Sequence, residues 1–348
     1  MSETMTAMQL AAPGDAHLVS IVRPQPKAGE VLLRVTAAGV CRTDLHICSA
    51  RDSRTPPGTI LGHEIAGEIA AVGLGVDPMR LGEHGIVHPC FACGECRACR
   101  NGDENYCHAP GRMAPPTPGV TCDGGMADYV AVPESAFFPT ADLDPAAAAT
   151  LTDAGLSAYH SVRLCRDLLR PGSTAVVIGL GGLGNMAVQI LAATSPACII
   201  GIDRSAEARD ALTGRAHVTH DFDEPDLAAS IVIDTHGIGA EIVLDFVGSD
   251  ETMAFAASVV ARGGAIQVVG LSGGSYPFVA RSANNPLPRG TTLMCPYSGS
   301  YADLAEMIAL AQSAAIVPVV TRFALSEVAT VFAALERGEI VGRAVLIP

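Results

Sequence analysis

The segment CFACGECRACRNGDENYC, residues 90–107, holds five cysteines spaced C-x2-C-x2-C-x2-C-x7-C. Sulfur at that density can form disulfide staples, a redox or iron–sulfur centre, or a zinc cage. Four thiolates at about 2.3 Å from one Zn²⁺ close a tetrahedron that stabilises a loop with little core of its own. Short x2 spacings turn neighbouring cysteines inward together, and a ligand several residues later closes the cage. Five candidates for four places leave one spare, and by spacing alone it is Cys90 or Cys107. A cage of four sulfurs has no open position, so its expected role is structural.

A catalytic zinc needs mixed donors and room for a substrate. AGVCRTDLH offers Cys41, Thr43 and His46, LGHEIAGEI offers His63 beside Glu64, and LTDAGLSAYH offers Asp153. Each is ambiguous alone. Cys41 fits a buried filler, His63 a hydrogen-bonded core histidine, and Asp153 an N-cap for the helix that follows it.

A third motif is phosphate-directed. In VVIGLGGLGNMAVQI, Gly179, Gly181 and Gly184 form G-x-G-x-x-G between a strand and a helix. The first glycine permits the tight turn, the second lets pyrophosphate approach the backbone, and the third packs helix on strand. Helix amides and dipole then hold the phosphates. Asp203, 24 residues after Gly179 and ending the next strand, can accept both ribose hydroxyls and repel a 2′-phosphate, which favours NAD. Arg204 follows directly and counts the other way.

These residues need two kinds of scaffold. From Leu10 to about Pro139 short strands such as EVLLRVTAAGV and HEIAGEIAAVG are punctuated by Gly and Pro, which predicts a compact β region. Near Asp153 the texture changes. STAVVIG, ACIIGID, AEIVLDFVG, AIQVVGL and TTLMCPY read as strands, and GLGNMAVQILAAT and SAEARDALTG as helices, the alternation of a parallel sheet covered on both faces. After Tyr301 two helices precede a final strand, GRAVLIP.

A chain of 348 residues suggests two domains, and 49% hydrophobic with 17% charged residues describes a globular protein. A net charge of −14, with Lys27 the single lysine, argues against nucleic acid or anionic membrane as partner. No secretory signal opens the sequence, and the apolar run 174–200 is broken by four glycines and a proline, so a cytoplasmic protein is expected.

Taken together, these segments resemble the zinc-dependent medium-chain alcohol dehydrogenases, most closely in wording the bacterial secondary-alcohol dehydrogenases, from AGVCRTDLH to GEIVGRAVLIP. The resemblance implies an α/β fold, with a Rossmann cofactor domain (155–294) inserted in a mainly β, GroES-like catalytic domain (1–154 and 295–348). It implies NAD and two Zn²⁺ per chain. The catalytic zinc falls on Cys41, His63 and Asp153, with Glu64 as a transient ligand. The structural zinc falls on Cys93, Cys96, Cys99 and Cys107, which leaves Cys90 free. Many relatives have cysteine where this chain has Asp153, and aspartate is the wording of the bacterial branch. LGEHGIVHP, residues 81–89, departs from the usual Gly-Asp-x-Val, and His84 and His88 there read as surface or strand residues.

The implied reaction moves hydride between an alcohol carbon and NAD, with Thr43 passing a proton to the cofactor ribose and His46 delivering it to solvent. Arg42 and Arg343 are implied pyrophosphate contacts. Gly182 and Leu183 belong to the phosphate loop, and Val247, Val269, Gly270 and Cys295 to the rest of the cofactor site. Phe91 and Tyr297 are candidate pocket residues. A chain with no tryptophan suggests a roomy apolar pocket for a bulky secondary alcohol or ketone. The relatives imply a homo-oligomer, a dimer or tetramer, in which TTLMCPY pairs edge to edge.

Overall fold

The computed structural model describes residues 3–49, 55–109, 114–277, 279 and 287–348. Seven strands come first: β1 (Thr4–Ala12), β2 (Asp15–Val22), β3 (Glu30–Val40), β4 (Glu64–Val72), β5 (His84–Val87), β6 (Tyr129–Pro133) and β7 (Phe137–Pro139). Among them lie two helices, α1 (Arg42–Ser49) and the single turn α2 (Arg97–Arg100). Then α3 (Pro145–Thr150) and α4 (Leu156–Leu164) flank a π-helical turn, Leu151–Gly155. Asp144 caps α3, its carboxylate accepting the Ala147 N–H, and Pro145 fills the first turn, where no amide is needed.

The alternating region follows as β8 (Thr174–Ile178), α5 (Gly182–Thr194), β9 (Cys198–Ile202), α6 (Ala206–Asp210), β10 (Val218–His220), α7 (Leu227–Asp234), β11 (Ala240–Asp245), α8 (Asp250–Val259), β12 (Val260–Val268) and β13 (Thr292–Met294). The chain closes with α9 (Tyr301–Gln312), β14 (Val320–Ala324), α10 (Val328–Glu336) and β15 (Arg343–Ile347). It divides into two compact units, 1–156 with 298–348, and 157–297.

The first unit is built on a seven-stranded sheet ordered β14-β15-β3-β4-β5-β7, with β6 also on β3, beside the β1-β2 hairpin. The last strand finds its place here: β15 runs antiparallel to β3, with Ala344 opposite Val40. The core gathers Val31, Leu33, Val40, Ile65, Ile69, Val130 and Leu346, from strands of which β3, β4 and β15 are buried at most positions.

The second unit is a six-stranded, all-parallel sheet ordered β10-β9-β8-β11-β12-β13. The order reverses between β8 and β11, a doubly wound arrangement with its switch point beside the glycine motif. All five residues of β8 are buried, because successive side chains meet different layers. Val176 and Ile178 join Ile231 of α7 and Met253 and Ala256 of α8 in one cluster. Ala175 and Val177 point the other way, and α5 packs against β8 and β9.

One histidine departs from its sequence expectation. His88 is neither on the surface nor in a strand, but fully buried just past β5. Its Nδ1 accepts the Cys90 N–H at 3.1 Å, so the Nε2 proton is the one that can donate to the Gly299 carbonyl at 3.0 Å. The Tyr301 ring stands edge-on at 4.5 Å. Burial pushes His88 down to about 4, against the weaker pull of its backbone partners. The unfolded chain then binds more protons between pH 4 and an ordinary histidine value of about 6.5. Stability from this group is therefore complete above that window and is lost on acidification through it, by up to about 3 kcal/mol. His88→Gln should be less stable at neutral pH yet lose less stability on acidification. Urea midpoints measured across the window check this, and parallel pH slopes for both proteins would remove His88 as the cause.

Candidate metal and nucleotide sites

The cysteine cluster closes on itself. Sγ separations are 3.9 Å for Cys93–Cys99, 3.4 Å for Cys96–Cys99, 3.9 Å for Cys96–Cys107 and 3.5 Å for Cys93–Cys107. A tetrahedral ZnS₄ site has sulfurs about 3.8 Å apart. None of these is a disulfide distance, and all eleven cysteines are free. Backbone amides add to the thiolate character. Cys96 N–H reaches Cys93 Sγ at 3.4 Å, and His108 N–H reaches Cys96 Sγ at 3.3 Å. Amides of Cys99 and His108 pull the Cys96 thiol down to about 6, while burial pushes Cys99 up to about 12. The group therefore fits a tetrahedral thiophilic ion. Cys90 is buried outside this set, its N–H committed to His88.

The second cluster is assembled from three places in the sequence. β3 ends at Val40, and Cys41 follows at the entrance of α1. Asp44 Oδ2 accepts the Cys41 N–H at 2.8 Å and fixes that turn. His63 precedes β4 and follows Gly62, whose φ of +94° is open to glycine and whose Cβ position is filled by Met126. Glu64 starts β4 opposite Gly39, and a side chain at Gly39 would collide with the Glu64 carboxylate. Asp153 sits in the π-helical turn and so does not act as an N-cap, a local widening common at functional sites.

Ligand atoms of Cys41, His63, Glu64 and Asp153 all lie within 4.8 Å of one another. Asp153 Oδ2 is 3.3 Å from Cys41 Sγ and 3.6 Å from His63 Nε2. Tetrahedral zinc would set these at about 3.6 and 3.4 Å. Charge balance also fits a cation. Arg343 pairs with the buried Glu64 and the partly buried Asp153, while the buried Asp44 faces His63. Such an excess of buried anions is costly unless a cation joins them. Burial opposes ionisation of Asp153, but His63 and Arg343 together hold it well below the usual carboxylate range. Glu64 is pushed by burial up to about 7 despite Arg343. Burial would lower His63, yet Asp44 and Asp153 raise it well above its ordinary value, a preference that a bound metal would reverse.

Two features of this cluster lie beyond the sequence expectation. Asp44 Oδ1 stands 3.4 Å from His63 Nδ1, and among the described residues neither atom has another hydrogen-bond partner, so the carboxylate orients the ring and turns Nε2 toward the other donors. The only sequence signal for it is an acid three residues after Cys41. Arg343, expected at the pyrophosphate, is instead buried beside β3. Its Nε donates to Glu64 at 2.9 and 3.1 Å, and its Nη2 to Glu64 and, at 2.7 Å, to Asp153. The β15–β3 pairing carries it there. Thr43 is half-buried with Oγ1 3.6 Å from Cys41 Sγ, while Arg42 and His46 are exposed on α1. Phe91 is half-buried against the core of the first unit, its N–H bonded to the Pro116 carbonyl.

In the second unit the glycine turn is shaped as its chemistry asks. Gly179 has φ +83°, and a Cβ there would meet Val247 at 2.8 Å. A Cβ on Gly181 meets nothing within 4 Å, leaving its backbone open to a ligand at the start of α5. A Cβ on Gly184 would strike the Gly179 carbonyl. Gly182, Leu183 and Gly184 form the first turn of α5. Asp203 Oδ2 accepts the Leu180 N–H at 2.6 Å and Oδ1 the Ser205 N–H at 2.8 Å, which ties the acid to the glycine turn. Val269 and Gly270 donate backbone N–H groups to the Asp245 carbonyl, and Gly270 packs on the Val247 backbone. Cys295 and Tyr297 are both exposed after β13. Arg204 is exposed and ion-paired.

Residues 27–142 match the alcohol dehydrogenase GroES-like domain, and residues 182–313 the zinc-binding dehydrogenase family. The chain is 33% identical to an NAD-dependent alcohol dehydrogenase of Sulfolobus acidocaldarius, over 98% of this chain and 99% of that one. It is also 33% identical to a D-arabinose 1-dehydrogenase (NADP(+)) of Saccharolobus solfataricus, over 93% and 92% of the two chains. Among solved structures, acetophenone reductase from Geotrichum candidum in complex with NAD superposes with a TM-score of 0.87 at 30% identity, covering 100% of this chain and 98% of that one. The chain belongs to the zinc-dependent medium-chain alcohol dehydrogenase family.

Proposed function

We propose that the protein is an NAD-dependent zinc dehydrogenase that interconverts secondary alcohols and ketones. In this reading residues 1–154 and 295–348 form the catalytic domain, and residues 155–294 form the cofactor domain. The observation that carries it is the meeting of Cys41 Sγ, His63 Nε2 and Asp153 Oδ2, a mixed set of donors with Glu64 beside it. Cys41, His63 and Asp153 would hold one Zn²⁺, and Cys93, Cys96, Cys99 and Cys107 a second. When bound, the first supplies Lewis acidity toward an alcohol or carbonyl oxygen, and NAD supplies the hydride acceptor.

The chain's own residues do the rest. Asp44 holds the His63 ring in one orientation. Arg343 pairs with both Glu64 and Asp153, and Glu64, beside the three donors, would be a reserve ligand. Thr43, half-buried next to Cys41, would hold the alcohol proton. His46, three residues on along α1 and exposed, can pass that proton to water. The amides opening α5 and the Arg42 guanidinium would bind pyrophosphate, and Asp203 the adenosine ribose. Val247, Val269, Gly270 and Cys295 would border the nicotinamide half, with Phe91 and Tyr297 at the substrate. A sugar- or polyol-directed dehydrogenase is the second reading, favoured by the likeness to D-arabinose 1-dehydrogenase.

Among the described residues no helix is long and apolar enough to cross a membrane. The reading includes a cytoplasmic homo-oligomer, a dimer or tetramer joined through the exposed edge strand β13. The purified protein should reduce NAD with 2-butanol or 1-phenylethanol at least about tenfold more efficiently, in kcat/KM, than with primary alcohols or pentoses. Metal analysis should return two zinc ions per chain. A preference for pentoses would move the assignment to the second reading. No alcohol-dependent reduction of either nucleotide would overturn both.

A further inference from the structure

Arg204 follows Asp203 at the carboxyl end of β9, the edge at which a doubly wound sheet receives a nucleotide. A guanidinium so placed is the natural fork for a 2′-phosphate. Here it is already engaged. Its Nε donates to both Asp223 oxygens at 3.0 and 3.2 Å, and its Nη2 to Glu251 Oε2 at 2.9 Å. Its Cζ lies 4.8 Å from the centre of the Phe222 ring, which is tilted against Phe255 of α8 at 5.3 Å.

The two acids come from different sides. Asp223 follows β10, and Glu251 lies in the first turn of α8, after β11. In the sheet β10 and β11 flank the pair β9-β8, which carries Asp203 and the glycine turn. The side chain is therefore stretched along the nucleotide-facing edge and neutralised at both ends of its fork. We propose that Asp223 and Glu251 form an acidic clamp that withholds Arg204 from a 2′-phosphate. Resting on the NAD-dependent reading above, this makes cofactor choice a product of two devices. Asp203 repels the phosphate, and the clamp silences the adjacent Arg204 guanidinium that could attract it. A relative 33% identical over 92% of its length is named for NADP, which points to side chains more than to the scaffold as the seat of the choice.

Strength sets the expected size. The side chains of Arg204, Asp223 and Glu251 are 54%, 64% and 60% exposed, and exposed ion pairs are individually weak. Two carboxylates and a ring acting on one planar group bias its position by about tenfold at most. Calorimetric titration with adenosine 2′,5′-bisphosphate and with 5′-AMP reads this without turnover. In an Asp203→Ser background, adding Asp223→Asn and Glu251→Gln should tighten the bisphosphate by about threefold to tenfold and leave 5′-AMP within about twofold. Adding Arg204→Gln should cancel that gain. No gain on removing the acids, or a gain that survives Arg204→Gln, overturns the clamp while the dehydrogenase reading stands. Failure of the unsubstituted protein to bind either 5′-AMP or NAD overturns the nucleotide site itself.

Discussion

Cys41→Ser should lower the zinc content from two ions per chain to one and reduce turnover by about a thousandfold or more. Serine keeps the volume of the buried side chain but stays neutral at pH 7, so it removes a charged soft ligand with little change in packing. The remaining donors, His63 Nε2 and Asp153 Oδ2, are too few to retain zinc firmly, and Arg343 already competes for the Asp153 oxygen at 2.7 Å. A Lewis acid contributes several kcal/mol of charge stabilisation at the reacting oxygen, and each 1.4 kcal/mol is about tenfold in rate, which sets the scale of the loss. NAD should still bind, because the glycine turn and Asp203 belong to the other unit. Zinc analysis, cofactor titration and single-turnover rates on the same preparation separate the three outcomes. Full turnover after loss of one zinc would remove the metal from the mechanism. Unchanged zinc with unchanged turnover would remove Cys41 from the metal site.

The parts of this architecture that sequence reveals are those whose chemistry is local. The glycine turn is legible because its demands are local: Gly179 takes a positive φ, and Gly184 faces the Gly179 carbonyl five residues back. The parallel sheet is legible because β8, buried on both faces, is apolar at every position after Thr174. The sulfur cluster is legible as a cage, but choosing four of its five cysteines needed family resemblance, since x2 spacing alone treats Cys90 and Cys107 alike. Long-range placement is where the sequence falls silent. Nothing around GRAVLIP says that β15 runs beside β3 and carries Arg343 among the carboxylates of Glu64 and Asp153. Nothing in GIVHP says that His88 is sealed under Tyr301, because its burial depends on Gly299, 211 residues away. Asp44 hid for a different reason. An acid in the first turn of a helix is ordinary, and only the approach of His63 gives it a purpose.

Cys96→Ser tests the other sulfur site, and its expected signature is the reverse of that at Cys41: one zinc lost, stability lost, chemistry kept. Residues 93–107 have little core beyond Ala98, Cys99, Asn105 and Cys107, so the metal would supply the folding energy that burial does not. Losing one of four thiolates, the one most favoured as thiolate by its backbone amides, should lower the thermal midpoint by about 5–15 °C. The damage has a direction. The lobe is fastened to the start of α9, where Glu104 accepts the Tyr301 N–H at 3.2 Å and the Tyr301 hydroxyl donates to the Cys90 carbonyl at 3.4 Å. α9 in turn packs on the turn that holds Asp153. Hydrogen exchange should therefore rise first across residues 93–107, next in the opening turn of α9, and least at residues 151–155. Turnover per folded chain should stay within about threefold, since Cys41, His63 and Asp153 keep their partners. A variant that folds normally, keeps its thermal midpoint and loses only rate would show that the cage takes part in the reaction, and the structural assignment would fall.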